Sequence, residues 1–355
     1  MTKGTGTSRF VTGLFAVVAC VMFAGCGSQG RGPAPKGEVT TQHKDAQGKP
    51  VTYRIEGPYR HENLCVFLIH GQDRITGKDF LTLSEALETR KLVIHETSDV
   101  NELSVENLSD CCIFVQSGEI IRGGKQDRVL QYDLVIDPKS GKKPISVFCV
   151  EQGRWRGRED EAVAYFSASN NQVAGNDMRL ATVQKGDQQA VWQEVAKAQG
   201  KLGEQVGGSV QSDKSATSME LTLEHEKVNK AVQAHVARLS GIIEGKKDVI
   251  GYAVAINGQV ESVDLYGANA LFRKLWPKLL KAGAVAAVVE RKEGKEFPAI
   301  AAADVDRFMK DAQTGKTSQK KVSDSMLMKS VENARIYRYA ASAPSGEVHD
   351  SMIRQ

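Results

Sequence analysis

Apolar and polar positions alternate over short runs through the first part of the chain. Between Val51 and Glu151 lie VTYRI, NLCVFLI, KLVIHE, ELSVEN, CCIFV, GEIIR, RVLQYDLVI and ISVFCVE, all rich in β-branched and aromatic residues. Gly, Pro, Asp and Asn clusters separate them, which is the signature of strands. One helix interrupts the series. Thr82 and Glu85 have the spacing of a capping box, and Leu83, Ala86 and Leu87 supply an apolar face.

The period then lengthens. Asp187 is placed to cap a helix running to about Leu202, with Val191, Val195 and Ala198 on one face. Glu224 to Leu239 reads as a second helix, Ala268 to Lys281 as a third with a kink or first turn at Pro277, and Asp304 to Ala312 as a last one. VIGYAVAI and QVESVDLYG flank Asn257-Gly258, a strong hairpin signal because both central residues of a type I′ turn need positive φ. ARIYRYA near residue 337 reads as a last strand. The pattern predicts an α+β fold: mainly antiparallel sheet in the first half, with helices and a β-hairpin in the second half.

The N-terminus carries a processing signal. Lys3 and Arg9 precede an apolar run from Phe10 to Ala24, shorter than the roughly 20 residues of a membrane span. Phe23-Ala24-Gly25-Cys26 resembles the lipobox of bacterial lipoproteins, in which cleavage leaves a lipidated N-terminal cysteine. Residues 1–25 are therefore expected to be a lipoprotein signal peptide. Residues 26–50, rich in Gly, Pro and polar side chains, are expected to be a flexible tether from a lipidated Cys26. The expected domain spans 51–290, followed by a C-terminal extension, 291–355, partly helical with a mobile end. The chain is thus expected to be exported and lipid-anchored to a bacterial cell membrane.

Charge narrows the partners. Setting Lys3 and Arg9 aside leaves 45 basic against 43 acidic residues, too balanced for a nucleic-acid footprint. Cys65, Cys111, Cys112 and Cys149 sit in apolar runs and are read as free thiols rather than disulfides; no zinc spacing occurs. HExxH, GxSxG and Walker patterns do not occur either, and the histidines do not converge along the sequence. No metal and no cofactor is implied.

Two polar clusters framed by strands carry the candidate chemistry. In Glu119-Ile-Ile-Arg122-Gly123-Gly124-Lys125-Gln126-Asp-Arg128, a strand enters a Gly-Gly turn whose N–H groups and cations suit an anion. The same residues also suit a plain hairpin with solvated charges. Glu151-Gln152-Gly153-Arg154-Trp155 follows a strand directly, where Arg154 is able to fork onto a phosphate and Trp155 to stack on a ring. Internal Arg–Glu pairing is the alternative. Glu119 and Glu151 form the carboxylate pair to nominate for general acid and base roles, with a salt-bridge role as the competing reading. Gln116 and Arg179 are weaker candidates to line the same site.

GEIIRGGKQDRVL, CVEQGRW, LTLSEALETRKLVIHE and GYAVAINGQVESVDLYG together resemble the ARG-and-rhodanese-phosphatase-superfamily-associated protein domain, ARG denoting ADP-ribosylglycohydrolase. The resemblance spans roughly residues 60 to 285. It implies association with ADP-ribose-processing proteins rather than a defined activity. The leading expectation is a binding or interaction module for an anionic small molecule or an envelope protein. The rival is an enzyme acting on an ADP-ribose-like or other phosphorylated small molecule. A third reading makes the polar clusters a buried hydrogen-bond network.

Overall fold

The computed structural model describes residue 1 and residues 37–97, 99–154 and 166–355. The signal segment beyond Met1, Cys26, the tether up to residue 36 and Trp155 lie outside the described residues. No helix among the described residues is long and apolar enough to cross a membrane.

The chain opens with three antiparallel strands, β1 (Gly37–Lys44), β2 (Pro50–His61) and β3 (Leu64–His70). The tether expectation is corrected here: residues 37–44 pair along their whole length with β2, from Gly37↔Gly57 to Lys44↔Pro50. Composition misleads because an edge strand needs only backbone partners and one buried face, which Thr41 and His43 provide.

The middle of the chain builds two smaller sheets. After β4 (Leu81–Thr82) comes α1 (Leu83–Glu88), started by the expected Thr82/Glu85 capping box. Then follow β5 (Leu92–Glu96), β6 (Glu102–Asn107), β7 (Ile113–Val115), β8 (Glu119–Gly123), β9 (Arg128–Leu130), β10 (Leu134–Ile136), β11 (Lys142–Cys149) and β12 (Phe166–Val173). One sheet has the order β12-β8-β9-β11-β6-β5, the other β10-β7-β4. Within the latter, β4 and β7 run parallel.

Helices come next. A short α2 (Asn176–Arg179) passes into a π-helical turn over Leu180–Lys185. Asp187 caps α3 (Gln188–Val206), accepting from the Gln189 and Ala190 amides. The helix expected over 224–239 is two, α4 (Met219–Glu224) and α5 (Glu226–Leu239), because His225 leaves the helical region at ψ 127°. The hairpin β13 (Val249–Ile256) and β14 (Gln259–Tyr266) turns at Asn257 (φ 54°) and Gly258 (φ 79°), as a type I′ turn requires. The long α6 (Asn269–Val289) runs through Pro277, whose ring lies on the exposed face. The last helix is α7 (Ala302–Asp311).

Residues 316–354 supply four strands, β15 (Lys316–Lys321), β16 (Leu327–Glu332), β17 (Ile336–Ala343) and β18 (Gly346–Arg354). They complete a nine-stranded antiparallel sheet of order β1-β2-β3-β13-β14-β18-β17-β16-β15. The C-terminal segment is therefore part of the fold rather than an extension, a correction to the boundary at 290. β18 hydrogen-bonds to β14, so the sheet is incomplete without it. The architecture is α+β as expected, with sheet at both ends of the chain.

β3 and β13 are buried at every position, because both faces of the large sheet are covered. On one side Val66, Leu68 and Val254 pack with Phe272, Leu275 and Trp276 of α6. On the other, Phe67, Ile69 and Ala253 pack with Val305, Phe308 and Met309 of α7. A further core joins α3, α4, α5 and α6 to Ile120, Val129 and Phe148 of the six-stranded sheet. Cys65, Cys111, Cys112 and Cys149 are free thiols; Cys65 and Cys149 are buried, while Cys111 is exposed in the turn before β7.

Candidate functional site

The two polar clusters meet. β8 and β9 pair through Ile120↔Val129 and Ile121↔Arg128, with the turn made at Gly123 (φ 119°) and Gly124 (φ 60°). β11 pairs with β9 at Cys149↔Arg128, so Glu151 arrives beside that turn. Asp127 links the two clusters: its Oδ1 accepts from the Gly123 amide at 3.0 Å, and its amide donates to Glu151 Oε2 at 3.0 Å. Arg154 donates through Nε to Glu151 Oε2 at 2.7 Å and through Nη2 to Asp127 Oδ1 at 3.3 Å.

The remaining cluster residues also have internal partners. The Gln126 side chain donates to the Arg154 carbonyl, and the Lys125 amide donates to Glu96 Oε1 at 2.7 Å. Arg128, fully buried, donates to the Gln126 carbonyl at 2.8 Å. Arg122 pairs with Glu224 of α4 at 2.7 Å, and exposed Gln152 accepts at its carbonyl from Thr217. Glu151 and Asp127 are 0% and 1% exposed, so this is a closed carboxylate–guanidinium network.

Glu119 stands apart from it. It begins β8, whereas Glu151 adjoins the far end, and a five-residue strand separates its ends by about 13 Å. Buried Glu119 accepts from the Gln116 amide at 2.9 Å and from Lys278 of α6 at 3.1 Å. The two carboxyls therefore do not face a common atom, and the geometry does not pair them as acid and base.

Arg179 belongs to a second buried network, held by the α2 turn against the large sheet. Its Nη2 donates to Asp264 Oδ1 at 2.8 Å, Tyr339 at 2.7 Å and Ser351 at 2.6 Å. His349 lies between Asp133 (2.8 Å) and Asp264 (3.2 Å). Burial opposes a charge there, but the two carboxylates outweigh it and push His349 up to about 9. Against their own desolvation, His349 and the Ser117 hydrogen bonds hold Asp133, and Arg179 and His349 hold Asp264, below the usual carboxylate range.

An open cleft of about 570 Å³ lies elsewhere, at one end of β1, β2 and β3. Register builds it: Thr40 faces Arg54, Arg54 faces His70, and His70 faces Val249, which puts Asp248 beside the histidine. Tyr53 and Arg74 complete the polar wall. Arg54, a third exposed, donates to Glu38 at 2.8 Å and to Asp248 at 3.3 Å. Arg74 donates through Nη1 to Tyr53 and Glu347, while its Nε and Nη2 have no hydrogen-bond partner.

His70 is the histidine in this wall, with a carboxylate beside each ring nitrogen. Its Nε2 lies 2.8 Å from Glu56 Oε2, and Glu56 is fixed in turn by Lys246 at 2.9 Å and by the Tyr59 hydroxyl. Burial works against ionised Glu56, yet the Tyr59, Lys246 and His70 hydrogen bonds bring it down to about 2. His70 Nδ1 is 2.8 Å from both Asp248 Oδ1 and Arg54 Nη2. A neutral ring with its proton on Nε2 accepts from Arg54; a doubly protonated ring donates to Asp248.

Sequence reading passed over Arg54, His70 and Asp248 because they share no local motif. One signal existed: His70 is the first polar residue after the apolar run LCVFLI, where a strand end delivers a side chain to a site. Comparison with curated proteins and with solved structures returned no match. The family model of the ARG and Rhodanese-Phosphatase-superfamily-associated Protein domain matches residues 52–352, from β2 into β18, and the chain belongs to that family.

Proposed function

We propose that the chain is a membrane-anchored binding module that recognises an anionic ligand or partner, and that recognition takes place in the cleft beside Arg54. The observation that carries this reading is the convergence of Arg54, Arg74 and the Tyr53 ring on one concavity of small-molecule size. Guanidinium groups recognise phosphate and carboxylate, and Arg54, a third exposed, presents one at the cleft wall. The polar clusters around Gly123 and Arg154 supply a rigid support in this scheme, since their charges are paired internally. Anchoring through a lipidated Cys26 rests on the Phe23–Cys26 pattern.

A thermal-shift screen of the full-length chain against ADP-ribose, NAD, inorganic phosphate and simple carboxylates tests recognition. At 100 times its dissociation constant a ligand adds about 2.7 kcal/mol. The expected result is a shift that disappears in Arg54→Ala; no shift with any of these compounds sinks the reading. For the anchor, Cys26→Ser is expected to move the protein from the membrane to the soluble fraction.

A second reading, an enzyme acting on an ADP-ribose-like or other phosphorylated small molecule, is favoured by His70. Glu56 orients its Nε2, while its Nδ1 is shared between Asp248 and Arg54 at the cleft wall, where a ligand that drew Arg54 away would meet a general base. Turnover of a ligand found in the screen, lost in His70→Gln with binding retained, would decide for it.

A further inference from the structure

Arg54 cannot meet an anion without giving up a partner. Its Nη1 donates to Glu38 Oε1 at 2.8 Å, and its Nη2 lies 3.3 Å from Asp248 Oδ2 and 2.8 Å from His70 Nδ1. Glu38 and Asp248 are carboxylates more than half exposed, so exchanging them for a ligand oxyanion costs little. The third partner is a ring nitrogen, and whether it accepts from Arg54 depends on its protons.

The groups around His70 fix which nitrogen is able to change. On the β2 side, Glu56 Oε2 lies 2.8 Å from Nε2, with Lys246 and the Tyr59 hydroxyl bonded to the same carboxylate. Glu56, brought down to about 2 against its own burial, stays ionised, so Nε2 carries a proton in either state of the ring. Only Nδ1 is left to change. Without a proton it accepts from Arg54 and turns a lone pair towards Asp248 Oδ1, 2.8 Å away. With a proton it donates to Asp248 and offers the Arg54 N–H only a like charge. Burial opposes ionised Asp248, but its bonds to His70 and Arg54 outweigh it and hold that carboxyl below the usual range, ready to accept. The other charges of the cleft are engaged elsewhere: Arg74 pairs with Glu347, and Asp73 accepts from the Asn269 amide at 2.7 Å.

We propose, on the reading of the cleft as an anion site, that it takes up its anion together with a proton on His70 Nδ1, which commits the ring to Asp248 and releases Arg54 to the ligand. Glu38 and Asp248 set two negative charges beside an entering anion, and protonated His70 offsets one of them. Linkage is reciprocal, so the bound anion strengthens the hold of His70 on that proton.

The probes are sulfate and ADP-ribose, whose charges stay constant between pH 5 and pH 8.5, titrated calorimetrically into the full-length chain across that range. Affinity is expected to rise by about tenfold on acidification, with a midpoint that coincides with that of the His70 ring in an NMR titration. Saturating sulfate is expected to move the ring's midpoint to higher pH. His70→Gln, unable to take the charge, is expected to bind equally at every pH. Because His70 is buried, Asp248→Asn at the exposed wall is the second variant; it removes the carboxylate that receives the Nδ1 proton and is expected to shift both midpoints to lower pH. Arg54-dependent binding of equal strength across the range overturns the proposal while the anion site stands, and so does an unmoved midpoint in Asp248→Asn. Absence of any binding that Arg54→Ala abolishes removes the anion site, and the proposal with it.

Discussion

Raising the pH from 6.5 to 9.5 is expected to destabilise this protein chiefly through His349. The ring is 0% exposed and lies between Asp133 and Asp264, themselves 3% and 0% exposed. Its folded pKa of about 9 stands above the ordinary 6.5, so the folded state holds a proton that the unfolded state releases between those values. The resulting stability is present in full below pH 6.5 and is lost as pH climbs through 9. At 1.36 kcal/mol per unit, the loss is about 3 kcal/mol, a large fraction of a typical domain's stability. Urea unfolding followed by tryptophan fluorescence at the two pH values reads it directly. His349→Gln cannot gain the charge; it is expected to start less stable at pH 6.5 and to lose less than wild type by pH 9.5, the remaining loss coming from Cys65, Cys112 and Cys149, whose thiols burial pushes up in both proteins. Glu261, pushed up to about 7 by burial, titrates mostly below the window and does so in both proteins. Equal pH dependence in wild type and His349→Gln would refute the argument.

Two further outcomes follow from the network that joins the polar clusters. Arg154→Ala removes a cation that bonds both Glu151 and Asp127, which are 0% and 1% exposed, and is expected to cost about 3 kcal/mol in urea unfolding; near wild-type stability would show that these carboxylates do not need it. Gly124→Ala places a methyl group 2.4 Å from both the Phe166 ring and Glu96 Oε1, at a φ of 60°, and should cost roughly 2 to 4 kcal/mol. A loss below 1 kcal/mol by the same measurement would show that this turn relaxes freely.

Much of the fold was legible in the sequence because local rules act there without help. The Thr82/Glu85 box, the Asp187 cap and the Asn257-Gly258 turn each concern residues within four positions of one another, and each forms as its spacing requires. Apolar runs such as LCVFLI and VIGYAVAI likewise become strands buried along their whole length. The sequence could not reveal that residues 37–44 are an edge strand, or that 316–354 complete the same sheet, since polar strands are held by backbone partners supplied from far along the chain.

The candidate sites divide along the same line. The sequence by itself determined which residue types lie at the ends of β8 and β11, and so picked out Gly123, Gly124 and Arg128 in one polar cluster and Glu151 and Arg154 in another. Only the tertiary structure decided that Asp127 closes them into a buried network, that Glu119 turns instead to Lys278 of α6, and that His70 meets Asp248 across β3 and β13. It also brought His61, at the end of β2, against His235 of a helix, a pair that seemed scattered along the chain. The physical reason is range. Capping and turn geometry act over a few residues, whereas charge pairing acts through space and depends on strand register and helix packing that no local pattern records.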